Sequence, residues 1–376
     1  MSSPIVSILI NTFDRPALLR RAVNSVLRQS YADFEIIIID DASNIPASEI
    51  LSNICDSRIH IFRNDKNIGS IDGDRAHIKR FIHELCRGRY FVYLCDDDYW
   101  ISNTLLERQV KSFEIYPKLA YVVGGQLSDM DAENHSSDFS SPITEDNLSN
   151  IFDYENTKPK SSRYYFHHSL KNHEYSLYST WYLPSEKFLS EFCAEPTSKN
   201  IIVGATLYSR EIFLRSNTFV GQEGSKWQAG YEILLGPAIY GDVVYINEPS
   251  IMVDVRPSNA SFRKTQVDHY QDSVHSAELA FKYSLTDVNC PIPQYELVKF
   301  RSKCIFNLGI IYLTNSIYIL KFGELGMCTK ENMSKIVDPI QVFQNLLKYG
   351  GWLHIERNQM LLFFKYYYFL IYKYIK

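Results

Sequence analysis

Three consecutive aspartates, Asp96, Asp97 and Asp98, follow an apolar run in the stretch YFVYLCDDDYW. Adjacent carboxylates repel one another unless water or a cation offsets their charge. Hard divalent cations such as Mg²⁺ and Mn²⁺ prefer carboxylate oxygens and are often shared with the phosphates of a substrate. Because a buried strand would hold the three carboxylates at one point, the sequence favours a metal site here over a solvated acidic turn.

Polar residues also follow the other apolar runs of the first hundred residues. Strand-like runs rich in β-branched residues alternate there with stretches of helical periodicity, a pattern typical of a parallel sheet. Ligands of such sheets gather at the carboxyl ends of the strands. The polar residues at these ends are Asn11, Asp14, Asp40, Asp41 and Asp96 to Asp98. Their convergence predicts a binding site at one edge of the sheet.

Three residues near these ends are suited to binding a nucleotide. The carboxylate of Asp41 can accept hydrogen bonds from the N–H donors of a base, and the ring of Phe13 offers a stacking surface. Arg15 could neutralise a phosphate. The alternatives are core packing for Phe13 and capping or turn formation for Asp41.

The motifs that carry this chemistry resemble a known family. The stretches PIVSILINTFDRPALLRRAVNSVLRQSYADFEIIIIDDAS, NIGS and RGRYFVYLCDDDYW are similar to the GT-A domain of family 2 glycosyltransferases. The similarity is strong over residues 4–125 and moderate over 200–262. It implies a nucleotide-diphospho-sugar donor, which we expect to be a UDP-sugar, a Mn²⁺ or Mg²⁺ ion held by DXD-type aspartates, and inversion at the anomeric carbon.

The resemblance also implies roles for residues of the donor pocket. By position, Asn11 and Phe13 would line the nucleoside pocket, and Asp41 would accept hydrogen bonds from the base. Arg15 and Arg75 would face the donor.

The acidic run departs from the family's DxDD pattern. Asp97 and Asp98 match its last two acids, so we expect Asp98 to bind the metal directly and Asp97 to lie on the donor side. Cys95 stands in place of the first acid. Asp96 is an additional acid, which we expect to contact both the metal and the donor.

The catalytic base is a second departure from the family pattern. Inverting transfer needs a carboxylate that takes the proton of the acceptor hydroxyl. The family usually provides it in an acidic pair at the start of a helix, where this chain has Ala229 and Gly230. We expect the nearest carboxylate, Glu232, to be the base. Alternatively, Glu232 caps its helix or forms a salt bridge there, and Glu223 and Asp242 are weaker substitutes.

A loop after the last predicted strand, VRPSNASFRK, is also expected to meet the donor. The family often has a flexible segment here that closes over the diphosphate. Arg256 and Arg263 would supply its positive charges. The alternative is a solvated loop without contact to the donor.

The whole chain predicts an α/β protein with a helical C-terminal region. Its 376 residues, 45% of them hydrophobic, suffice for a large core and two domains. We expect a GT-A catalytic domain over residues 1–267, with a mostly parallel, Rossmann-like sheet flanked by helices. Its donor half would cover about residues 1–125 and its acceptor half about 126–267, and helices would follow over 268–376.

The composition of the chain argues against a nucleic-acid partner and for a cytoplasmic location. A net charge of −4 gives no overall attraction to nucleic acid. The seven cysteines include no CxxC pair, which indicates reduced thiols in a cytoplasmic protein. The N-terminus lacks the features of a secretory signal, and no uninterrupted apolar stretch is long enough for a spanning helix.

The C-terminal segment 340–376 mixes lysines with Leu, Phe and Tyr. Such residues favour the membrane interface, so we expect peripheral contact with the inner face of a membrane. A buried helix or a contact between copies in a homo-oligomer are the alternatives.

Together these features predict an inverting glycosyltransferase that extends a surface glycan, with a glycan or lipid-linked glycan as acceptor. A nucleotidyltransferase that makes sugar nucleotides is one rival, although it would need a glycine-rich loop after the first strand, and NTFDRP contains no glycine. A catalytically degenerate glycan-binding or scaffold relative is another, because the acidic pair is missing.

Overall fold

The computed structural model describes residues 3–69, 73–129, 144–150, 152–153, 158–161, 164–167, 179–196, 203–217, 231–255 and 266–322, with single positions between 342 and 368. It divides into two compact units. The first comprises Met1–Pro184, Ile202–Arg215 and Gly241–Arg256, and the second Ser185–Ile201, Ser216–Tyr240 and Pro257–Lys376. This grouping differs from the predicted division at residue 267, because two inner segments group with the C-terminal helices.

All the strands that the structure describes belong to the first unit. They are β1 Val6–Thr12, β2 Phe34–Asp40, β3 Ile59–Arg63, β4 Tyr90–Cys95, β5 Asp98–Trp100, β6 Leu119–Asp129, β7 Phe152–Asp153, β8 Lys158–Pro159, β9 Tyr164–His167, β10 Thr180–Leu183, β11 Thr206–Ser209 and β12 Asp242–Asp254. The helices of this unit are α1 Pro16–Leu27, α2 Ala47–Ile50, α3 Gly73–Arg80, α4 Leu105–Ile115 and α6 Arg210–Arg215. A π-helical turn, Phe81–Leu85, continues α3.

One ten-stranded sheet forms the core of this unit. Its strand order is β10-β12-β6-β11-β4-β1-β2-β3, with β5 paired to β12 and β9 paired to β6. The pairs β3–β2, β2–β1, β1–β4 and β6–β12 are parallel, and β11 joins the two parallel parts by antiparallel pairing on both sides. The prediction of an α/β fold with a largely parallel sheet and flanking helices is therefore confirmed.

Burial explains why the apolar runs became central strands. Every residue of β2 is buried, as expected for a strand covered on both faces. Helix α1 begins at Pro16, whose fixed φ suits a first helical turn, and it buries one face that includes Leu19, Val23 and Val26. This packing holds the carboxyl ends of the strands in place.

The second unit is helical. Its described helices are α5 Ser185–Ala194, α7 Tyr231–Tyr240, α8 Gln266–Ser284 and α9 Gln294–Phe322. Helix α8 packs against α7 and α9, and α5 packs against α7 and α9. The predicted helical C-terminal region is thus present in α8 and α9, while most of the predicted membrane-contact segment lies outside the described residues. Within the described part of the chain, no helix combines the length and apolar composition needed to cross a membrane.

Candidate active site

The carboxyl ends of β1, β2 and β4 meet at one edge of the sheet. In the parallel register Asn11 lies opposite Cys95, and Thr12 lies opposite Asp40. The turn at residues 96–97 follows β4 directly. The polar residues that end separate strands in the sequence are therefore neighbours in the fold.

Asp96 is tied to the loop after β1. Thr12 Oγ1 donates to Asp96 Oδ2 at 2.8 Å, and Arg15 Nη1 donates to Asp96 Oδ1 at 3.0 Å. The same Arg15 nitrogen donates to Asp97 Oδ2 at 3.0 Å. Burial raises the pKa of Asp96 to about 6, with the Asp97 charge acting in the same direction and Arg15 against it. Both Asp96 oxygens thus accept hydrogen bonds from the protein, and its role as a metal ligand stays a prediction.

A different trio forms the candidate metal centre. One ligand atom from each of Cys95, Asp97 and Asp98 lies within 4.8 Å of the others. Burial and the nearby charges of Asp97 and Asp254 raise the pKa of Asp98 well above its ordinary value. A divalent cation would offset this clustered negative charge, so these side chains fit such an ion.

Arg21 links the acidic turn to the end of β12. Its Nη2 donates to the Asp97 carbonyl oxygen at 2.6 Å and to Asp254 Oδ2 at 2.8 Å. Its guanidinium carbon lies 4.2 Å from the centre of the Tyr99 ring. The Arg21 side chain is only 8% exposed, so the position of this cation is fixed by its partners.

Sequence reasoning missed Arg21 and Asp254. A signal for Arg21 existed, because it lies three residues after Leu18 and four before Ser25, both on the buried face of α1. A charged residue at such a position needs a buried partner. Asp254 ends β12, and its neighbour Val253 pairs with Asp98 in the antiparallel register.

The two aspartates that end β2 have different surroundings. Asp40 is fully buried and accepts hydrogen bonds from the backbone N–H groups of Ser43 and Ala47, at 2.8 and 3.0 Å, and from Arg63 at 2.6 Å. Burial alone would raise the pKa of Asp40, but these hydrogen bonds outweigh it and lower the pKa. Asp40 therefore anchors the turn after β2.

Asp41 fastens the loop that follows β3. It accepts hydrogen bonds from Asn64 Nδ2 at 2.7 Å and from the backbone N–H groups of Ile68 and Gly69 at 3.1 and 3.2 Å. His77 Nε2 lies 3.5 Å from Asp41 Oδ1. The structure thus gives Asp41 the loop-forming role that was the alternative, while recognition of a base by this carboxylate stays a prediction.

Phe13 lies just beyond β1 and is 45% exposed. The alternative of core packing for this ring is therefore wrong. An exposed ring two residues after Asn11, at the edge that carries Asp41, is available to stack on a flat ligand.

The predicted base, Glu232, lies in the second unit. It falls in the first turn of α7 and is 2% exposed, and its backbone N–H donates to Ser276 Oγ at 3.0 Å. Its catalytic role stays a prediction. Asp242, a weaker candidate, opens β12 and accepts a hydrogen bond from the Tyr182 hydroxyl at 2.5 Å.

The strand geometry excludes Asp242. Val253 of the same strand pairs with Asp98, and strand residues rise about 3.3 Å each. Asp242 therefore lies roughly 35 Å along β12 from the pairing position of Asp98, too far to serve as base beside the acidic turn.

The side chains of four predicted residues are not among those that the structure describes. Arg256, Arg263 and Glu223 lie outside the described residues, and Arg75 lies in α3 without a described side chain. Their roles stay predictions.

The amino-acid sequence is similar to known glycosyltransferases. The family model described as Glycosyl transferase family 2 matches residues 7–214. The Escherichia coli UDP-Glc:alpha-D-GlcNAc-diphosphoundecaprenol beta-1,3-glucosyltransferase WfaP is 33% identical over 110 residues, which cover 29% of this chain and 41% of that protein. The chain thus matches less than half of that relative's length. The Campylobacter jejuni GalNAc(5)-diNAcBac-PP-undecaprenol beta-1,3-glucosyltransferase is 24% identical over 290 residues, 74% of this chain and 85% of that protein.

A solved structure extends the likeness to most of the chain. Staphylococcus aureus TarS 1–349, in complex with UDP-GlcNAc, aligns with a TM-score of 0.58 and 10% identity over 96% of this chain and 89% of that one. At this identity the likeness shows the fold alone. Since the family model covers more than half of the residues and the sheet carries the predicted acidic turn, this chain belongs to glycosyl transferase family 2 and has the GT-A fold.

Proposed function

We propose that this chain is a metal-dependent, inverting glycosyltransferase that moves a sugar from a UDP-sugar to a lipid-linked glycan in polysaccharide synthesis. The observation that carries the proposal is the cluster of Cys95, Asp97 and Asp98 at the carboxyl edge of the sheet, with Arg15 beside it. Carboxylates that fit a divalent cation beside a half-exposed arginine suit a diphosphate.

The relatives support the choice of donor and acceptor. Two of them carry names that specify glucosyl transfer to undecaprenyl-diphosphate-linked sugars, and one of these aligns with 74% of this chain. The exposed Phe13 ring supports a nucleoside at this edge of the sheet, where it would stack on the base, and the Asp41 carboxylate would accept from the base. Uracil, whose N–H group can donate to a carboxylate, fits this pair.

The proposed reaction is a single displacement. The acceptor hydroxyl oxygen attacks the anomeric carbon, and the bond from that carbon to the diphosphate oxygen breaks. Glu232 takes the hydroxyl proton, and the bonding pair leaves on the diphosphate. Direct attack from the opposite side inverts the anomeric configuration.

The metal would be held by Asp97, Asp98 and Cys95, with Asp96 and Arg15 fixing the position of the turn. When bound, a divalent cation supplies positive charge to the leaving diphosphate. Arg15 would contribute a second cation on the same side, because its side chain is 43% exposed and extends from the loop after β1.

A screen of nucleotide sugars with Mn²⁺ tests the proposal and its rivals. A ligand that binds only the native state at a hundredfold excess over its Kd stabilises that state by about 2.7 kcal/mol, so a UDP-sugar should raise Tm, and EDTA should remove the effect. UDP release should follow when an undecaprenyl-diphosphate-linked sugar is added.

The rivals give different results in that screen. Tm increases without UDP release would favour a degenerate sugar-binding relative. Pyrophosphate release from UTP and a sugar phosphate would favour a nucleotidyltransferase. No stabilisation by any nucleotide sugar would contradict the proposed donor class.

The structure also predicts a positioning role for Arg21. Arg21→Ala should lower the affinity for the activating metal about 10- to 100-fold, the range seen when groups that orient metal ligands are removed. The reason is that Arg21 holds the Asp97 carbonyl and the Asp254 carboxylate. Metal titration of donor hydrolysis, with kcat and the metal activation constant fitted separately, measures the effect.

The adjacent Arg20 provides a matched control. It lies on the same helix but donates to Asn53 and to the Ile50 carbonyl, away from the acidic turn. Arg20→Ala should leave metal activation unchanged, and Arg21→Lys should restore part of the lost affinity because it keeps the charge. Equal effects of Arg20→Ala and Arg21→Ala would contradict the assignment.

Peripheral contact with the inner membrane face also stays a prediction. It is supported by Leu361, Phe364 and Tyr368, which are helical, at least 45% exposed, and spaced to share one helix face. Co-sedimentation with anionic vesicles tests it, and a chain left entirely in the supernatant would contradict it.

A further inference from the structure

Cys95 replaces a carboxylate with a thiol at the candidate metal centre. It ends β4, opposite Asn11 on β1, and its side chain is partly exposed at the site edge. Its sulfur and one oxygen from each of Asp97 and Asp98 form a group with all three atoms within 4.8 Å. Within the described part of the chain, this is the one such cluster of potential metal ligands.

We infer that the Cys95 sulfur is itself a metal ligand, and that it makes the site prefer Mn²⁺ to Mg²⁺ and Co²⁺ to both. This inference rests on the proposed function and resolves which divalent ion the site selects. A hard ion such as Mg²⁺ favours oxygen ligands in strict octahedral geometry, whereas thiolates favour softer ions. For a given ligand set, affinity also rises from Mn²⁺ to Co²⁺.

The observed spacing allows a shared ion. Typical bonds of about 2.3 Å from a metal to sulfur and about 2.1 Å to oxygen place two ligand atoms at most roughly 4.4 Å apart. Atoms that already lie within 4.8 Å reach this spacing by small side-chain rotations. The thiol proton passes to solvent when the sulfur binds the ion.

The charge balance also favours coordination. Asp97 and Asp98 supply two negative charges. Arg15 donates a hydrogen bond to the Asp97 side chain, and Arg21 donates one to the Asp97 carbonyl oxygen. A thiol contributes negative charge only when it binds the ion as thiolate. Cys95 therefore adds a ligand to the occupied site without adding a further permanent charge beside Asp96, Asp97 and Asp98.

Titration with CoCl₂ in the presence of UDP tests the inference directly. A sulfur-to-cobalt charge-transfer band should appear in the near ultraviolet and saturate at one ion per chain. UDP contains no sulfur, so the band reports a protein thiol. Cys95→Ser should abolish the band and lower the Co²⁺ affinity at least about tenfold, with Mg²⁺ affinity nearly unchanged.

Two further variants sharpen the result. Cys55→Ser, at an exposed cysteine away from the site, should keep the band. Cys95→Asp should lack the band and show a smaller preference for Mn²⁺ over Mg²⁺ than the wild type, because all its ligands are then oxygens. Saturable Co²⁺ binding by calorimetry without a band in the wild type, or a band retained in Cys95→Ser, would overturn the inference.

The outcome is separable from that of the proposed function. Sugar transfer without a thiolate band would refute the thiol ligand and leave the enzyme intact. A thiolate band without binding or turnover of any nucleotide sugar would refute the proposed function and support the metal assignment.

Discussion

Replacing Asp98 with asparagine is expected to lower sugar transfer by about 10³-fold. A metal ion supplies several kcal/mol of charge stabilisation to a leaving phosphate, and about 1.4 kcal/mol corresponds to a factor of ten in rate. Asparagine keeps the shape of the side chain but removes the charge that would hold the ion. Initial rates of UDP release at saturating donor and a range of Mn²⁺ concentrations measure the change.

Stability should move in the opposite direction. Burial and the charges of Asp97 and Asp254 make ionised Asp98 unfavourable in the folded, metal-free protein. Asp98→Asn should therefore have a Tm at or above that of the wild type in EDTA, which separates loss of activity from loss of folding.

Asp33 provides the matched control for this change. It is exposed and precedes β2, at the amino edge of the sheet, so Asp33→Asn should leave both activity and Tm unchanged. Retention of more than about a tenth of the wild-type rate by Asp98→Asn at saturating Mn²⁺ would contradict the metal assignment. Such a loss corresponds to less than about 1.4 kcal/mol, below the several kcal/mol that a bound metal supplies.

The edge of the sheet was predictable because it depends on local patterns. Apolar runs of strand length alternated with helical stretches, and parallel strands place all their carboxyl ends on one side. In the structure these ends do meet, with Asn11 opposite Cys95. Likewise, the buried face of α1 was visible in the spacing of Leu19 and Val23.

Contacts between distant parts of the chain were not predictable in the same way. Arg21 and Asp254 lie 233 positions apart, and periodicity places each on an element without naming its partner. The short antiparallel strand β11 posed the same difficulty, because its four residues carry no signal of direction. Long-range pairing depends on the packed fold.

Adjacent identical residues presented a further limit. Asp40 and Asp41 are indistinguishable by type, but successive strand side chains point to opposite sides. One therefore anchors the turn to Arg63, and the other holds the loop that contains Ile68. A turn at residues 96–97, rather than strand alternation, separates Asp96, which accepts from Thr12, from Asp97 and Asp98.

The second large effect is expected at Glu232. Glu232→Gln should lower transfer to the acceptor by about 10²- to 10⁴-fold, the range for removal of a general base. Donor binding should persist, because the proposed donor contacts (Phe13, Asp41 and the acidic turn) belong to the first unit, whereas Glu232 belongs to the second. Single-turnover transfer rates and UDP-sugar affinity, measured on the same preparation, separate the two steps.

Two control variants decide whether such a loss is chemical. Glu278 is a half-buried glutamate of the second unit, paired with Arg301 at 3.6 Å, so Glu278→Gln tests whether disturbing this unit alone stops transfer. Asp242→Asn should leave transfer unchanged, because strand geometry places the Asp242 carboxylate far from Asp98.

The pattern across these variants carries the argument for the base. Glu232 is 2% exposed, and glutamine matches it in size, so a loss confined to Glu232→Gln is a loss of proton transfer rather than of packing. If Glu278→Gln loses as much transfer at equal Tm, the effect comes from the helical unit as a whole. If Glu232→Gln retains wild-type transfer, the base is another group, and a residue other than Glu232 replaces the family's acidic pair in this chain.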